Sequence, residues 1–227
     1  MKRLVVIRHG ESEWNVERRI QGQSGSGLSD RGRRQAKHTA AWVSEAYSGA
    51  RLVTSDLHRC LETTAPLAAA LGREPVTEQG VRERDFGRWT GKLVTEVAEL
   101  DPAIWSRWTG GEDVVGEVGG EGTTAFSARV IEAYERILRD TPDGGATVCV
   151  THGGPIWHGT RCLLDLPMTA LGGVGNASVT EIAVDETWGS RLVVWNQGAH
   201  LPVELRMWPH AADAADVEDD DAPAVGE

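Results

Sequence analysis

Two segments of the chain share one design: an apolar run that ends at a polar residue followed by His-Gly. The first is Leu4-Val5-Val6-Ile7, running into Arg8-His9-Gly10-Glu11; the second is Val148-Cys149-Val150, running into Thr151-His152-Gly153. An unbroken apolar run, without polar alternation, predicts a strand buried on both faces, as in a parallel sheet. Polar groups directly after such a strand lie at its carboxyl end, where open α/β sheets place their ligands. If the two strands are neighbours, two histidines meet at one sheet edge. The second histidine also precedes a helix N-terminus, whose free N–H groups favour an anion. The competing reading of each segment is a strand end with solvated polar residues.

The rest of the chain supports the α/β assignment. Strands are predicted at residues 3–7, 51–54, 75–79, 147–150, 179–184 and 191–195. Helices are predicted from the N-cap Ser29 to about residue 47, over 57–71 with Gly72 as its stop, over 123–139 with apolar residues at helical spacing, and over 155–164 with Pro155 in the first turn. Strands alternating with helices predict a three-layer α/β/α sandwich, with a mainly parallel central sheet and helices on both faces. Residues 92–122 are the least regular part, with short helical pieces around Thr95 and Ile104 followed by glycine-rich stretches; they read as an irregular, mobile insertion over the site, or as an inert surface excursion.

Length and charge set limits on function. The 227 residues suit a single domain over residues 1–208. No apolar run approaches the roughly 18 residues of a membrane span, and no secretory signal pattern opens the chain. The expected setting is cytoplasmic, with no membrane partner. The formal charge is −11, but Asp213, Asp216, Glu218, Asp219, Asp220, Asp221 and Glu227 supply seven of the negative charges. Residues 209–227 therefore read as an acidic disordered tail, the alternative being an acidic interaction segment. The acidic balance argues against nucleic acid as a partner. Cys60, Cys149 and Cys162 lack metal-type spacing. Cys149 reads as a buried small hydrophobe. Cys60, beside Arg59, is either a thiol of lowered pKa or a spectator.

Two further loops add chemistry. Thr54-Ser55-Asp56-Leu57-His58-Arg59 follows a strand and brings another arginine, and Glu83 lies in a fourth loop. Two arginines, two histidines and helix-end amides form a cradle that suits a phosphoryl dianion in charge and in its oxygens. A carboxylate beside it can act as general acid.

Together these residues resemble the histidine phosphatase superfamily, the group that includes cofactor-dependent phosphoglycerate mutases. Arg8-His9-Gly10-Glu11-Ser12-Glu13-Trp14-Asn15 is similar to its opening signature. Gln21-Gly22, Leu28-Ser29, Gly32 and Gln35-Ala36 continue it. Ser55-Asp56-Leu57-His58-Arg59 with Thr63 resembles the second basic motif, and Arg82-Glu83-Arg84 with Phe86-Gly87 the acid motif. Gly119-Gly120-Glu121 with Arg129 resembles a later segment, although Gly122 stands where a serine is usual. His152-Gly153 resembles the second-histidine motif, and Asn196 with His200-Leu201 the C-terminal element. The ordered set spans about residues 3–203.

The resemblance implies roles at the matching positions. His9 is expected to be the nucleophile and to carry a phosphohistidine. Arg8, Arg59 and His152 are expected to hold the phosphoryl oxygens. Glu83 is expected to protonate the leaving oxygen and then to help deprotonate water. Asn15, Gln21, Gly22 and Gly153 are expected to line the phosphate site. His200 either approaches the site from the C-terminal segment or packs elsewhere. Glu11 reads as structural, His58 as exposed and His158 as packing. Trp14, Trp105 and Trp108 read as pocket lining or as packing. The resemblance implies no metal and no cofactor, because arginine and histidine supply the positive charge. The expected partner is a small-molecule phosphate ester, with a homodimer possible.

Within the family, the mutases carry a long insertion with an adjacent arginine pair that grips a second carboxylate. No Arg-Arg pair stands between Glu83 and His152, which favours a phosphatase over a mutase. The stretch from Ala170 to Ser178, with Arg191 to Asn196, resembles actinobacterial phosphatases of the glucosyl-3-phosphoglycerate phosphatase type. A broad-specificity phosphatase and a non-catalytic phospho-ligand binder are the remaining alternatives.

Overall fold

The alternation of buried residues along the first strand shows why its sequence is unbroken and apolar. In the computed structural model, which describes residues 1–206, β1 (Lys2–Arg8) buries Leu4 and Val6 in one core and Val5 and Ile7 in another. Both faces of the sheet are covered, so neither tolerates the polar residues that a half-exposed strand would carry. The acidic segment from about residue 209 lies outside the described residues.

The chain alternates between the layers. After the short helix α1 (Glu13–Val16) comes α2 (Asp30–Ala46), whose N-cap Ser29 accepts a hydrogen bond from the Gly32 N–H. It is followed by β2 (Arg51–Thr54), α3 (His58–Leu71), which stops at left-handed Gly72, and β3 (Val76–Thr77). Next come α4 (Val94–Leu100), α5 (Pro102–Thr109), α6 (Thr123–Asp140), β4 (Ala146–Thr151) and α7 (Gly153–Leu163). The hairpin β5 (Val179–Asp185) and β6 (Gly189–Gln197) closes the sheet. The strand order is β3-β2-β4-β1-β5-β6. The first three neighbouring pairs are parallel, and β1–β5 and β5–β6 are antiparallel. The sheet is thus mixed, with the expected parallel part and an antiparallel edge.

Helices α2 and α3 pack on the Val5/Ile7 face, and α6 and α7 on the Leu4/Val6 face. The helices that follow β1 and β4 therefore leave on opposite sides of two adjacent strands. This is the switch point at which open sheets leave a crevice outside the strand ends. Register carries Arg8 opposite Thr151, so the residues after them, His9 and His152, emerge side by side.

Two expectations need correction. The strand expected at 75–79 is only Val76–Thr77, both exposed at the sheet edge. Pro75 has no N–H to give the ladder, and Glu78 caps a 3₁₀ turn at Gln79–Val81. Residues 92–122 carry the helical pieces expected around Thr95 and Ile104, but they are more regular than an irregular excursion. They supply α4, α5 and a 3₁₀ turn at Val115–Val118, and they have their own core. Trp108, Val97, Val114, Val115 and Val118 pack there with Ile20, Phe86 and Trp89. Trp105 and Trp108, with ring centroids 4.9 Å apart, are packing residues. Among the described residues, no helix is long and apolar enough to cross a membrane.

The start of α2 lies against the segment that follows β1. A methyl carbon added at Gly32 would come 2.0 Å from the main-chain oxygen of Glu11. Gly32→Ala gains up to about 1 kcal/mol of helix propensity but costs roughly 1–3 kcal/mol in overpacking. The obstruction is backbone and has no rotamer to escape into, so the clash wins. The expected result is a fall in melting temperature, about 2–4 °C per kcal/mol of net loss, measured by circular dichroism. An unchanged or raised Tm would contradict this packing.

Candidate active site

His9 leaves β1 with its N–H donated to the Thr151 carbonyl at 2.9 Å, which ties the two strand ends together. Its Nδ1 lies 2.8 Å from the Gly10 carbonyl. A carbonyl only accepts, so Nδ1 carries the proton and the lone pair is on Nε2. Nε2 accepts from Arg59 Nε at 3.1 Å. The nitrogen with nucleophilic capacity is thereby aimed and held.

Arg59 is the second residue of α3 and is buried. Its Nε also lies 3.1 Å from His152 Nδ1, while Nη1 and Nη2 donate to the carbonyls of Ser24 (2.7 Å) and Gly22 (2.9 Å). Gly22 bends the 21–25 loop with a φ of 53°. His152 is the N-cap of α7 and is fully buried. Its Nδ1 accepts, so Nε2 holds the proton and donates to Ser55 Oγ at 2.9 Å. The His9 and His152 ring centroids are 5.3 Å apart. Burial first, then the charges of Arg59 and Arg8, hold His9 well below its usual 6.5. Burial and Arg59 do the same to His152. Both rings are neutral at pH 7. Arg8 reaches from the end of β1 to the Val174 carbonyl.

Glu83 enters from the opposite wall. Its carboxylate accepts from its neighbour's N–H, that of Arg84, at 2.8 Å and from the Gly154 N–H at 3.3 Å. The second contact puts the acid at the positive end of α7. A methyl carbon at Gly154 would lie 2.3 Å from Glu83 Oε1, so only glycine leaves room for the acid there. The flanking arginines are anchored outward: Arg82 on Asp56 at 2.6 Å, and Arg84 on Asp113 at 2.5 Å. Arg129 fixes the loop from behind. It donates to the carbonyls of Gly80, Arg82 and Glu83 and pairs with Glu121 at 2.6 Å.

Seven of the expected residues line one small cleft: Arg8, His9, Asn15, Gln21, Gly22, Arg59 and Glu83. Arg19 and Phe86, not expected there, complete the lining. His152 belongs to the cluster but lies behind Arg59 and does not reach the cleft surface. Gly153 opens α7 without lining the cleft. His200 is elsewhere. It meets Thr39 Oγ1 at 3.1 Å and stacks near Trp42 at 5.2 Å, because the C-terminal segment runs along α2. Glu11 accepts from the Ser29 hydroxyl at 2.6 Å, a structural role. His58 is exposed, and His158 packs against Phe126 and Trp157. Burial pushes the Cys60 thiol up to about 12, so the spectator reading fits this cysteine.

Sequence reasoning missed Ser12, Ser55, Thr63 and Asn176 as support for the site. Ser12 caps α1 through Asn15, and its hydroxyl also reaches Gln21 at 2.9 Å. Thr63 accepts the Gly10 N–H at 3.0 Å. Asn176 donates to the His9 carbonyl at 3.2 Å and to Asn15 at 3.3 Å. Ser12 lies inside the opening motif between His9 and Asn15. Asn176 lies in the Ala170 to Ser178 stretch that carries the narrower resemblance, but nothing in that Gly-rich loop marked it as the residue that returns to the site.

The neutral histidines have a consequence for stability. His9 and His152 titrate well below 6.5, His158 at about 3 and His200 at about 4, each chiefly through burial. Below pH 6.5 the unfolded chain binds protons that the folded chain refuses. Stability is therefore full above pH 6.5 and is lost as pH falls toward the folded values. Each group contributes up to about 1.4 kcal/mol per pH unit. Urea unfolding between pH 7 and 5 should show a steep loss over the lower half of that range. A flat profile would contradict neutral burial.

The chain matches the model of the histidine phosphatase superfamily (branch 1) over residues 4–198. It is 33% identical over 222 residues to a glucosyl-3-phosphoglycerate phosphatase of Mycolicibacterium vanbaalenii, covering 88% of this chain and 97% of that protein. It is 33% identical over 188 residues to phosphoserine phosphatase 1 of Hydrogenobacter thermophilus, covering 82% of this chain and 88% of that one. The structure of a mycobacterial glucosyl-3-phosphoglycerate phosphatase in complex with VO3 superposes with a TM-score of 0.78 at 31% identity, over 87% of this chain and all of that one. The relatives named here are phosphatases, and the family model spans most of the described residues: the chain belongs to the histidine phosphatase superfamily.

Proposed function

We propose that the chain hydrolyses a small phosphate monoester through a phosphohistidine on His9, without a metal ion. The observation that carries this reading is the fixed tautomer of His9. Its Nδ1–H is committed to Gly10, so its lone pair is on Nε2, where it accepts from Arg59 at the wall of a cleft that Arg8, Arg59 and Glu83 line with it. The arginines supply the positive charge that the equatorial phosphoryl oxygens need. Gly22, Asn15 and Gln21 complete the cradle, with Gly153 behind it at the start of α7.

The steps follow from the placement. The Arg59 Nε–H shifts its hydrogen bond from Nε2 to a phosphoryl oxygen, and the freed lone pair forms a bond to phosphorus while the ester P–O bond breaks. Glu83, in its acid form, gives its proton to the departing oxygen. The resulting carboxylate then takes a proton from water, whose oxygen attacks phosphorus. The N–P bond breaks, phosphate leaves, and the lone pair returns to Nε2. A neutral His9 favours the first step, since an imidazolium has no lone pair to give. His152 acts through Arg59, holding the guanidinium against the nucleophile.

The substrates in the relatives' names indicate the class. A 3-phosphoglycerate ester and phosphoserine are both three-carbon acids phosphorylated at carbon 3. We take such an ester, glucosyl-3-phosphoglycerate among them, as the substrate class. The cavity at the site is small, about 20 Å³, and opens to solvent, so a sugar attached to the acid must extend outward past the rim.

Glu83→Gln tests the assignment of the acid. An alkoxide must be protonated as the bond breaks, whereas a nitrophenolate needs little help. Both assays are run in EDTA, and the parent is expected to turn over both esters. The variant should lose roughly 100- to 10,000-fold in kcat/KM on O-phosphoserine and far less on p-nitrophenyl phosphate. Equal losses would mean that Glu83 binds or positions the phosphate. Loss of parental activity in EDTA, restored only by a divalent ion, would overturn the metal-free reading.

A further inference from the structure

Arg19 is the lining cation that the proposed phosphoryl chemistry leaves unused. Its main chain is tied on both sides: its N–H donates to the Trp14 carbonyl at 2.9 Å, and it bridges Leu93. The preceding residue, Arg18, has a φ of 57°, a left-handed conformation that costs a non-glycine residue energy. That turn carries the chain from α1 into the cleft wall. The guanidinium is held in one orientation. Nε donates to Glu17 at 2.5 Å and Nη1 to the Gly91 carbonyl at 2.9 Å. Nη2 has no partner among the described residues, and the side chain remains 32% exposed beside the cleft.

A planar fork fixed at two nitrogens and open at the third is arranged for one more acceptor. Because the fork is already ordered, little entropy is lost when that acceptor binds. The phosphoryl group itself is served by Arg8 and Arg59. What reaches Arg19 is the other end of the substrate. Glu17 offsets part of the charge of Arg19, which suits a monoanion better than a second phosphate. Phe86 supplies an apolar wall for the short carbon chain between the two anionic ends.

We propose that Arg19 is a specificity residue that binds the carboxylate of a phosphorylated hydroxy or amino acid while its phosphate sits against His9. The proposal rests on the reading of the cleft as a phosphomonoesterase site. It assigns to one arginine on the 17–22 segment the carboxylate grip for which no Arg-Arg pair stands between Glu83 and His152.

The test is the ratio of kcat/KM for O-phosphoserine to that for phosphoethanolamine, two esters that differ only in the carboxylate. A hydrogen bond to a charged group is worth roughly 1.5–3 kcal/mol. Arg19→Met should therefore lower the ratio by about 10- to 100-fold, and Arg19→Lys should retain part of it. Arg19→Met keeps the stem, and matching Tm values check the fold. An unchanged ratio, including a parallel fall on both esters, overturns the proposal. So does a parent that hydrolyses p-nitrophenyl phosphate but neither of the pair, although the phosphatase reading then survives. A parent with no phosphomonoesterase activity overturns both.

Discussion

The Nε–H of Arg59 is shared between two imidazoles, 3.1 Å from His9 Nε2 and 3.1 Å from His152 Nδ1. A buried cation costs several kcal/mol unless its donors meet acceptors in good geometry. Here the four acceptors come from three separate parts of the chain: the end of β1, the end of β4, and the 21–25 loop with the carbonyls of Gly22 and Ser24. Each of those parts must therefore be in place for Arg59 to be buried at all. The same contacts fix the tautomers. A guanidinium can only donate, so each imidazole must turn a lone pair toward it and stay neutral. Nε2 is then the nitrogen that the proposed mechanism uses as nucleophile, and the dianion it calls for would meet positive charge already oriented, which is the condition for effective electrostatic stabilisation.

The sheet makes this convergence possible. Because β1 and β4 are adjacent and parallel, with helices leaving on opposite faces, their two terminal histidines meet without a long loop. The first turn of α7 then serves two purposes. It follows His152, and it presents the Gly154 N–H to Glu83 across the cleft. Arg129 and Glu121 hold the Glu83 loop from outside, so the acid rests on a helix end and on a clamp. His9 and Glu83, the proposed nucleophile and acid, thus belong to different elements, but both are fixed relative to the β4–α7 junction.

Much of this was legible in the residues because the strongest constraints are local. An unbroken Leu4–Ile7 run has few homes besides a strand covered on both faces, and Arg8-His9 directly after it can only lie at the strand's end. Ser29 and Gly72 marked helix limits because capping is short-range chemistry. The antiparallel edge also follows from spacing, since the three residues between β5 and β6 cannot form a parallel crossover. The core of residues 92–122 was hidden because its apolar residues, Val97, Trp108 and Val114 among them, have no common period and meet only through partners such as Ile20 and Trp89. His200 lies in a motif-like stretch, but α2 captures it through Thr39 and Trp42. Arg19 escaped notice because nothing local distinguishes it from Arg18. Only the backbone turn at Arg18 decides which of the two lines the cleft.

The central claim is that His9 Nε2 takes the phosphoryl group. Rapid mixing with a radiolabelled phosphomonoester, acid-free quenching and peptide mapping read this step directly. The account predicts label on the peptide that contains His9, stable in base and released by acid, which appears no later than free phosphate and is absent from His9→Ala. Steady turnover without label on that peptide, or undiminished turnover by His9→Ala, would contradict it.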